Sequence, residues 1–108
     1  MVYTQDEIRQ AILPVAEKYK LRAVYLFGSY ARGTATEESD IDLLIDTEGT
    51  QIKSLLQLSA VYCDLKAALG KKVDVVTLSA LEQQARMPSE ESFCKNVWSE
   101  RVNIYIAA

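Results

Sequence analysis

Three short apolar segments, the first two separated by a turn and the last two by a stretch with helical periodicity, constrain the fold of this chain most strongly. They cover residues 21–27, 40–46 and 71–78, and a fourth short segment at 102–107 closes the sequence. Short apolar runs bounded by glycine or polar residues are typical of buried strands. The order of helix, strand, turn, strand, helix, strand and helix predicts an α/β or α+β fold, with one sheet backed by helices.

The first helical segment begins with a capping box. Residues 4–7 read TQDE, and apolar residues then recur at helical spacing as far as Tyr19. Pro14 lies beyond the first turn, where it removes a backbone donor and collides with the preceding turn. We therefore expect this helix to kink or break near Leu13.

Three further segments carry helical signals. Residues 50–70 are the longest candidate, and Gly70 is a natural C-terminal cap. The predicted apolar stripe of this helix consists of Leu55, Leu58, Tyr62, Leu65 and Leu69. Residues 79–82, SALE, predict another capping box, and residues 89–101 predict a last helix. Its predicted core-facing residues are Phe93, Val97 and Trp98.

The composition excludes several kinds of site. The chain of 108 residues has no histidine and no pair of closely spaced cysteines, which argues against a zinc site. Cys63 and Cys94 are expected to be reduced, and the absence of a signal peptide or membrane span predicts a cytoplasmic protein. A formal net charge of −3 gives no positive field for nucleic acid. Any chemistry must use carboxylates, hydroxyls, lysine or a metal.

Residues 28–46, GSYARGTATEESDIDLLID, combine a glycine-containing turn with carboxylates. Gly28 and Gly33 have the spacing of a P-loop, but Thr34 and Ala35 replace the lysine and hydroxyl residue that such a loop requires. A P-loop is therefore excluded. Backbone N–H groups after Gly28 nevertheless suit an anion at a helix start.

The carboxylates point to a metal. Asp40 and Asp42 lie on one face of a strand, with Cα atoms about 7 Å apart. They repel each other unless a cation lies between them, and Mg²⁺ commonly shares carboxylate ligands with substrate phosphates. Asp46 shares the face but is expected at the strand end, outside this group. Asp74 lies within another apolar strand, and if the two strands are neighbours, the three aspartates can converge.

These residues carry a family resemblance. Gly28 and Ser29, then ten residues, then Asp40 and Asp42 resemble the GS-x10-DxD signature of the nucleotidyltransferase superfamily that includes DNA polymerase β. The fuller text LFGSYARG, SDIDLLID and KVDVVT is similar to the minimal nucleotidyltransferase (MNT) family, the MntA-type antitoxins of HEPN/MNT toxin–antitoxin systems. The resemblance implies a single minimal nucleotidyltransferase domain over residues 1–108, with a small mixed sheet and helices mainly on one face.

The resemblance also implies a site. Gly28 and Ser29 would hold the β- and γ-phosphates of ATP, while the catalytic residues Asp40, Asp42 and Asp74 would ligate two Mg²⁺ ions. The expected reaction is transfer of AMP to a tyrosine of a cognate HEPN ribonuclease toxin, in a homo- or hetero-oligomer. Asp74 would assist deprotonation of the attacking hydroxyl. With no acceptor domain after residue 108, the acceptor is expected on another molecule.

Alternative interpretations remain open at this point. Arg32 either contacts phosphate or is a surface arginine, and Ser39 either contacts phosphate or caps a turn. Asp74 could instead pair with Lys72, and Tyr30 is expected to be exposed or to face a partner. The protein could also be an antitoxin that only binds its toxin, or a small-molecule, aminoglycoside-type nucleotidyltransferase that needs a helper subunit. Neither direct nucleic-acid binding nor membrane association is expected.

Overall fold

The computed structural model describes residues 2–107, in which four strands alternate with five helices. The strands are β1 (Ala23–Phe27), β2 (Ile41–Asp46), β3 (Val73–Thr77) and β4 (Val102–Ile106). The helices are α1 (Gln5–Tyr19), α2 (Ser29–Arg32), α3 (Leu55–Leu69), α4 (Leu78–Gln84) and α5 (Glu91–Glu100). A single 3₁₀ turn at Pro88–Glu90 leads into α5. Met1 and Ala108, which the predicted domain range includes, lie outside the described residues.

The strands form one mixed sheet in the order β3-β2-β1-β4. β1 pairs antiparallel with both β2 and β4, whereas β2 and β3 run parallel. A parallel pair needs a long crossover connection, and α3 provides it between β2 and β3. The predicted fold class, a small mixed sheet with helices, is confirmed. The strands bearing Asp42 and Asp74 are neighbours, which is the condition for these two aspartates to lie close together.

Alternation along β2 divides its side chains between two hydrophobic clusters. Ile41, Leu43 and Ile45 pack in the larger cluster with residues of α1 and α3. Leu44 points to the opposite face and packs with Phe27 and with residues of α4 and α5. Because successive strand residues alternate in direction, Asp42 must share the face of Leu44. The aspartates therefore lie on the face that α4 and α5 cover.

α1 begins with the predicted capping box but does not break at Pro14. The Thr4 hydroxyl accepts a hydrogen bond from Glu7 N, and the Glu7 carboxylate accepts one from Thr4 N. The helix continues as one element to Tyr19, so the alternative of a break near Leu13 is wrong. Pro14 and Gln10 are both exposed, so water can satisfy the Gln10 carbonyl that loses its partner.

The predicted apolar stripe of α3 holds only in part. Leu65 and Leu69 are buried and Leu58 is half-buried, but Val61 fills the remaining core position and Leu55 is 82% exposed. Ser54 caps the helix, so Leu55 belongs to a first turn that extends beyond the core. Gly70 ends the helix in the left-handed conformation, as predicted.

The capping box predicted at residues 79–82 is also wrong. Ser79 lies inside α4, and Thr77 is the cap, because its hydroxyl accepts a hydrogen bond from Ala80 N. β3 therefore passes directly into α4 without a loop. The predicted helix over 89–101 forms as α5, and the last strand forms at Val102–Ile106, close to its predicted bounds.

Three aromatic residues differ from their predicted environments. Phe93 and Trp98 were expected in the core, but they are 47% and 45% exposed because Cys94 and Val97 form the buried face of α5. Tyr30 was expected to be exposed, yet it is buried in the larger cluster, where its hydroxyl accepts a hydrogen bond from Lys71 Nζ.

Two general expectations can be compared with the described chain. Cys63 and Cys94 are both free thiols, the first exposed and the second buried. Across residues 2–107, the helices are too short or too polar to cross a membrane.

Candidate active site

Gly28 joins β1 to α2 in a conformation that only glycine adopts readily. Its φ and ψ are 73° and −152°, and it is the N-cap of the short helix α2. The backbone also passes very close to β2: a Cβ added at Gly28 would lie 2.2 Å from Asp42 Oδ2. The absence of a side chain at residue 28 therefore lets the turn rest against the Asp42 carboxylate.

The sheet register places Asp42 between two functional elements. On one side Asp42 pairs with Phe27, the residue before Gly28. On the other side it pairs with Asp74 in the parallel β2–β3 ladder. Residues in register on adjacent strands point to the same face, so the two carboxylates are neighbours.

Like charge and partial burial govern the protonation of Asp42. Desolvation, then the charge of Asp74 and a hydrogen bond with it, and finally the charge of Asp40 raise the pKa of Asp42 from 3.8 to about 6. The Arg32 guanidinium opposes this change by favouring the charged form. A bound cation would relieve the same crowding, and carboxylate oxygens are the ligands that hard divalent ions prefer. Asp42 and Asp74 thus fit a divalent metal.

Asp40 takes a different position from the other two aspartates. It precedes the first residue of β2, and its Oδ2 lies 3.7 Å from Lys72 Nζ. The predicted alternative of a lysine partner thus applies to Asp40 rather than to Asp74. Within residues 2–107, no three acidic, cysteine or histidine side chains are grouped so that they could share one metal ion. Metal binding by the full set of Asp40, Asp42 and Asp74 stays a prediction.

A cleft of about 590 Å³ opens over this part of the sheet. Its lining from the sheet and α2 consists of Phe27, Gly28, Arg32, Asp42, Asp74, Val75 and Val76. Its lining from α5 consists of Phe93, Asn96, Val97 and Glu100. Small-molecule sites in proteins typically have volumes of about 300–1,000 Å³, so the cleft has the size of such a site.

An ion pair crosses one end of the cleft. Arg32 Nη1, at the end of α2, lies 2.9 Å from Glu100 Oε2, at the end of α5, and donates a hydrogen bond to it. Both side chains are only partly exposed. Arg32 is the cation of this cleft that could meet an anionic ligand, and Glu100 is its present partner.

Two predicted phosphate ligands lie outside the lining of the cleft. Ser29 is half-buried at the first position of α2. The Ser39 hydroxyl accepts a hydrogen bond from Thr36 N, and Ser39 N donates to Thr36 O in return. Ser39 thus closes the turn before β2, which is the alternative that the sequence left open for it.

The cleft-facing residues of α5 were not predicted from the sequence as parts of a site. Phe93 was assigned to the core, and Asn96 and Glu100 received no role. Their spacing of three and four residues places them with Val97 on one helical face, which is a signal that the sequence does contain. The sequence does not show which elements lie opposite that face, because the strands that line the cleft are far from α5 in the chain.

The sequence of this chain is similar to those of several known proteins. A family model for the nucleotidyltransferase domain matches residues 8–103. A Methanocaldococcus jannaschii protein, provisionally named protein adenylyltransferase, is 42% identical over 77 residues, which cover 70% of this chain and 80% of that protein. The protein adenylyltransferase MntA of Thermococcus cleftensis is 44% identical over 66 residues. That match covers 61% of this chain and 65% of MntA, slightly less than two thirds of its length.

Among solved structures, the chain is similar to a toxin–antitoxin crystallised with AMP-PNP. The TM-score is 0.67 at 27% identity, and the match covers 92% of this chain and 73% of the other.

Proposed function

This chain belongs to the nucleotidyltransferase domain family, and we propose that it transfers AMP from ATP to a hydroxyl group of a partner protein. The observation that carries the proposal is the contact of the Gly28 backbone with Asp42, beside the neighbouring Asp74 carboxylate in the same cleft. Backbone N–H groups at the start of α2 can donate to phosphate oxygens, and the two carboxylates can hold a cation that joins them to the substrate.

Each residue of the cleft has a role in this proposal. Asp42 and Asp74 would hold Mg²⁺, and Asp40 would be a third ligand in place of its contact with Lys72. When bound, Mg²⁺ neutralises the triphosphate and makes the acceptor hydroxyl more acidic. Arg32 attracts the phosphates, which compete with Glu100 for its guanidinium.

The reaction is a displacement at the α-phosphorus of ATP. The acceptor oxygen forms a bond to this phosphorus, and the bond from the phosphorus to the bridging oxygen of pyrophosphate breaks. Asp74 accepts the proton of the acceptor hydroxyl, and pyrophosphate leaves.

We propose a HEPN ribonuclease toxin as the partner and a tyrosine of that toxin as the acceptor, so that the chain acts as an antitoxin in a hetero-oligomer. Its similarity to MntA and to the toxin–antitoxin structure supports this partner. The free thiols of Cys63 and Cys94 fit a reducing compartment, and we place the reaction in the cytoplasm.

The test is incubation with ATP labelled at the α-phosphate, Mg²⁺ and the cognate HEPN protein. Label should appear on the HEPN protein with the unmodified chain and disappear with Asp42→Asn or Asp74→Asn. Asp46→Asn is a matched control, because Asp46 lies on the same face of β2 but pairs with Arg22 outside the cleft. This control should retain transfer.

Two other outcomes would replace the proposal. If Asp42→Asn neutralises the toxin as well as the unmodified chain does, and no label is transferred, the protein acts by binding alone. If label moves to an aminoglycoside rather than to the HEPN protein, the acceptor is a small molecule.

A further inference from the structure

The side of α5 that faces the cleft carries an aromatic ring and an amide to which the proposed reaction gives no role. Phe93 and Asn96 are one helical turn apart and line the same cleft as Asp42 and Asp74. Val97, one helical turn after Phe93, is buried in the smaller hydrophobic cluster and fixes the orientation of the helix. The exposed ring and amide are thus held in place by a packed neighbour.

The Asn96 amide has its hydrogen-bonding groups free for a ligand. The Asn96 backbone carbonyl accepts a hydrogen bond from Ser99 Oγ, but no residue of the described chain bonds to the Asn96 side chain. An amide offers a donor and an acceptor side by side. Phe93 is 47% exposed, so one face of its ring is also available.

The charged groups lie towards the other end of this helical face. Glu100 is seven residues after Phe93, which corresponds to about 10 Å along a helix axis. There Glu100 meets Arg32, and Arg32 follows Gly28 by a single helical turn. The cleft therefore has a charged end next to the glycine turn and an aromatic, amide-bearing end.

We propose that Phe93 and Asn96 form the nucleobase subsite of this cleft and that they select adenine. This inference rests on the proposed function, which places the phosphates at Gly28 and Arg32 and so directs the base towards Phe93. The base stacks on the Phe93 ring, an interaction that tolerates any base. Asn96 donates to adenine N7 and accepts from the adenine N6 amino group, a pair of bonds that guanine cannot form with the same amide.

The test compares binding of ATP, GTP and inorganic tripolyphosphate by calorimetry, in the presence of Mg²⁺. Phe93→Ala should weaken binding of ATP and GTP alike by about 10-fold or more. Asn96→Ala should lower the preference for ATP over GTP by about 10-fold. Neither change should affect the affinity for tripolyphosphate, which has no base. Phe93→Tyr should retain the affinity for ATP, because the ring is kept.

The same helix provides matched controls on its other side. Trp98 is 45% exposed, close to the value for Phe93, but it lies in the groove between α4 and α5 together with Ser99. Trp98→Ala and Ser99→Ala should leave all three affinities unchanged. Circular dichroism verifies that each variant is folded.

Three results separate this inference from the function on which it rests. Equal losses of ATP and tripolyphosphate affinity in Phe93→Ala would overturn the subsite, since the change would then act on the phosphates. An unchanged preference for ATP over GTP in Asn96→Ala would overturn the selection of adenine. An unmodified chain that binds neither ATP nor tripolyphosphate would overturn the proposed function itself.

Discussion

Replacing Gly28 with alanine tests whether the glycine turn is built around Asp42. The new Cβ would lie 2.2 Å from Asp42 Oδ2, 3.1 Å from Asp42 Cγ and 3.4 Å from Asp42 Cβ. Rotation of the carboxylate alone cannot relieve these contacts, because Cγ itself is too close. Asp42 must change its side-chain conformation, or the turn must move away from β2.

The expected loss of stability has two parts. The backbone conformation of Gly28 is essentially restricted to glycine, and another residue there costs about 1–3 kcal/mol. Forcing Asp42 from its preferred conformation adds about 0.5–1.5 kcal/mol. The free energy of unfolding should therefore fall by about 1.5–4.5 kcal/mol, and each kcal/mol lowers the melting temperature by about 4 °C in a domain of this size. Displacement of Asp42 by about 1 Å should reduce AMP transfer about 100-fold.

Gly33→Ala is the matched control for this experiment. Gly33 also has a positive φ, 78°, but a Cβ added there meets no atom within 4 Å. Its alanine variant carries only the backbone cost, about 1–2 kcal/mol, and should retain transfer. Urea denaturation followed by Trp98 fluorescence and labelled-ATP transfer give the two measurements. Equal stability and equal activity of the two variants would refute the role of the close approach.

Three further changes have effects of predictable sign. Asp42→Asn should stabilise the metal-free protein above pH 6. Burial and the charge of Asp74 raise the pKa of Asp42 to about 6. The ionisation of Asp42 therefore lowers the free energy of unfolding as the pH rises from about 4 to 6, and asparagine avoids this loss. With solvent screening, the expected increase in the free energy of unfolding is about 1 kcal/mol. Urea denaturation in EDTA at pH 5 and pH 8 measures it. Glu100→Gln should tighten ATP binding about fivefold in calorimetry, because Arg32 loses its present partner. Pro14→Ala should raise the free energy of unfolding by about 1–2 kcal/mol, because it restores a hydrogen bond within α1.

Each of these changes has a control within the same element. Asp46→Asn should not reproduce the pH-dependent gain, and a gain as large at pH 5 as at pH 8 would contradict the sign derived for Asp42. Glu91→Gln removes an exposed ion pair of α5 with Lys95 and should leave ATP binding unchanged. Leu13→Ala, next to Pro14 and exposed, should not raise stability; a loss of stability in Pro14→Ala would show that the proline fits this helix.

Local sequence patterns predicted the parts of the site that lie on single elements. The alternation in residues 40–46 placed Asp42 opposite the core-facing Leu43, and Gly28 predicted the turn that follows β1. The position of Asp74 beside Asp42 depended on which strands are neighbours. The sequence did not show whether the strands that carry Asp42 and Asp74 are neighbours, and in the structure β2 and β3 pair in parallel.

Tertiary packing decided the features that the sequence missed. Both sides of α5 carry aromatic residues, and periodicity cannot tell which side faces a core, a cleft or solvent. Likewise, Tyr30 is polar enough for a surface, and Lys71, which donates a hydrogen bond to its buried hydroxyl, lies 41 residues later in the chain. The ion pair of Asp40 with Lys72 also joins distant residues, so no local pattern indicates it.

The parallel pairing of Asp42 with Asp74 has a consequence for folding as well as for chemistry. A slip of β3 by one residue would turn Asp74 towards the larger hydrophobic cluster, where Val73 is fully buried and where a charge would be costly. Asp74 thus destabilises a misaligned β2–β3 pairing, even though its repulsion of Asp42 also lowers the stability of the correct pairing. Substituting valine at this position would remove the proposed reaction, and it would also remove a barrier to misfolding.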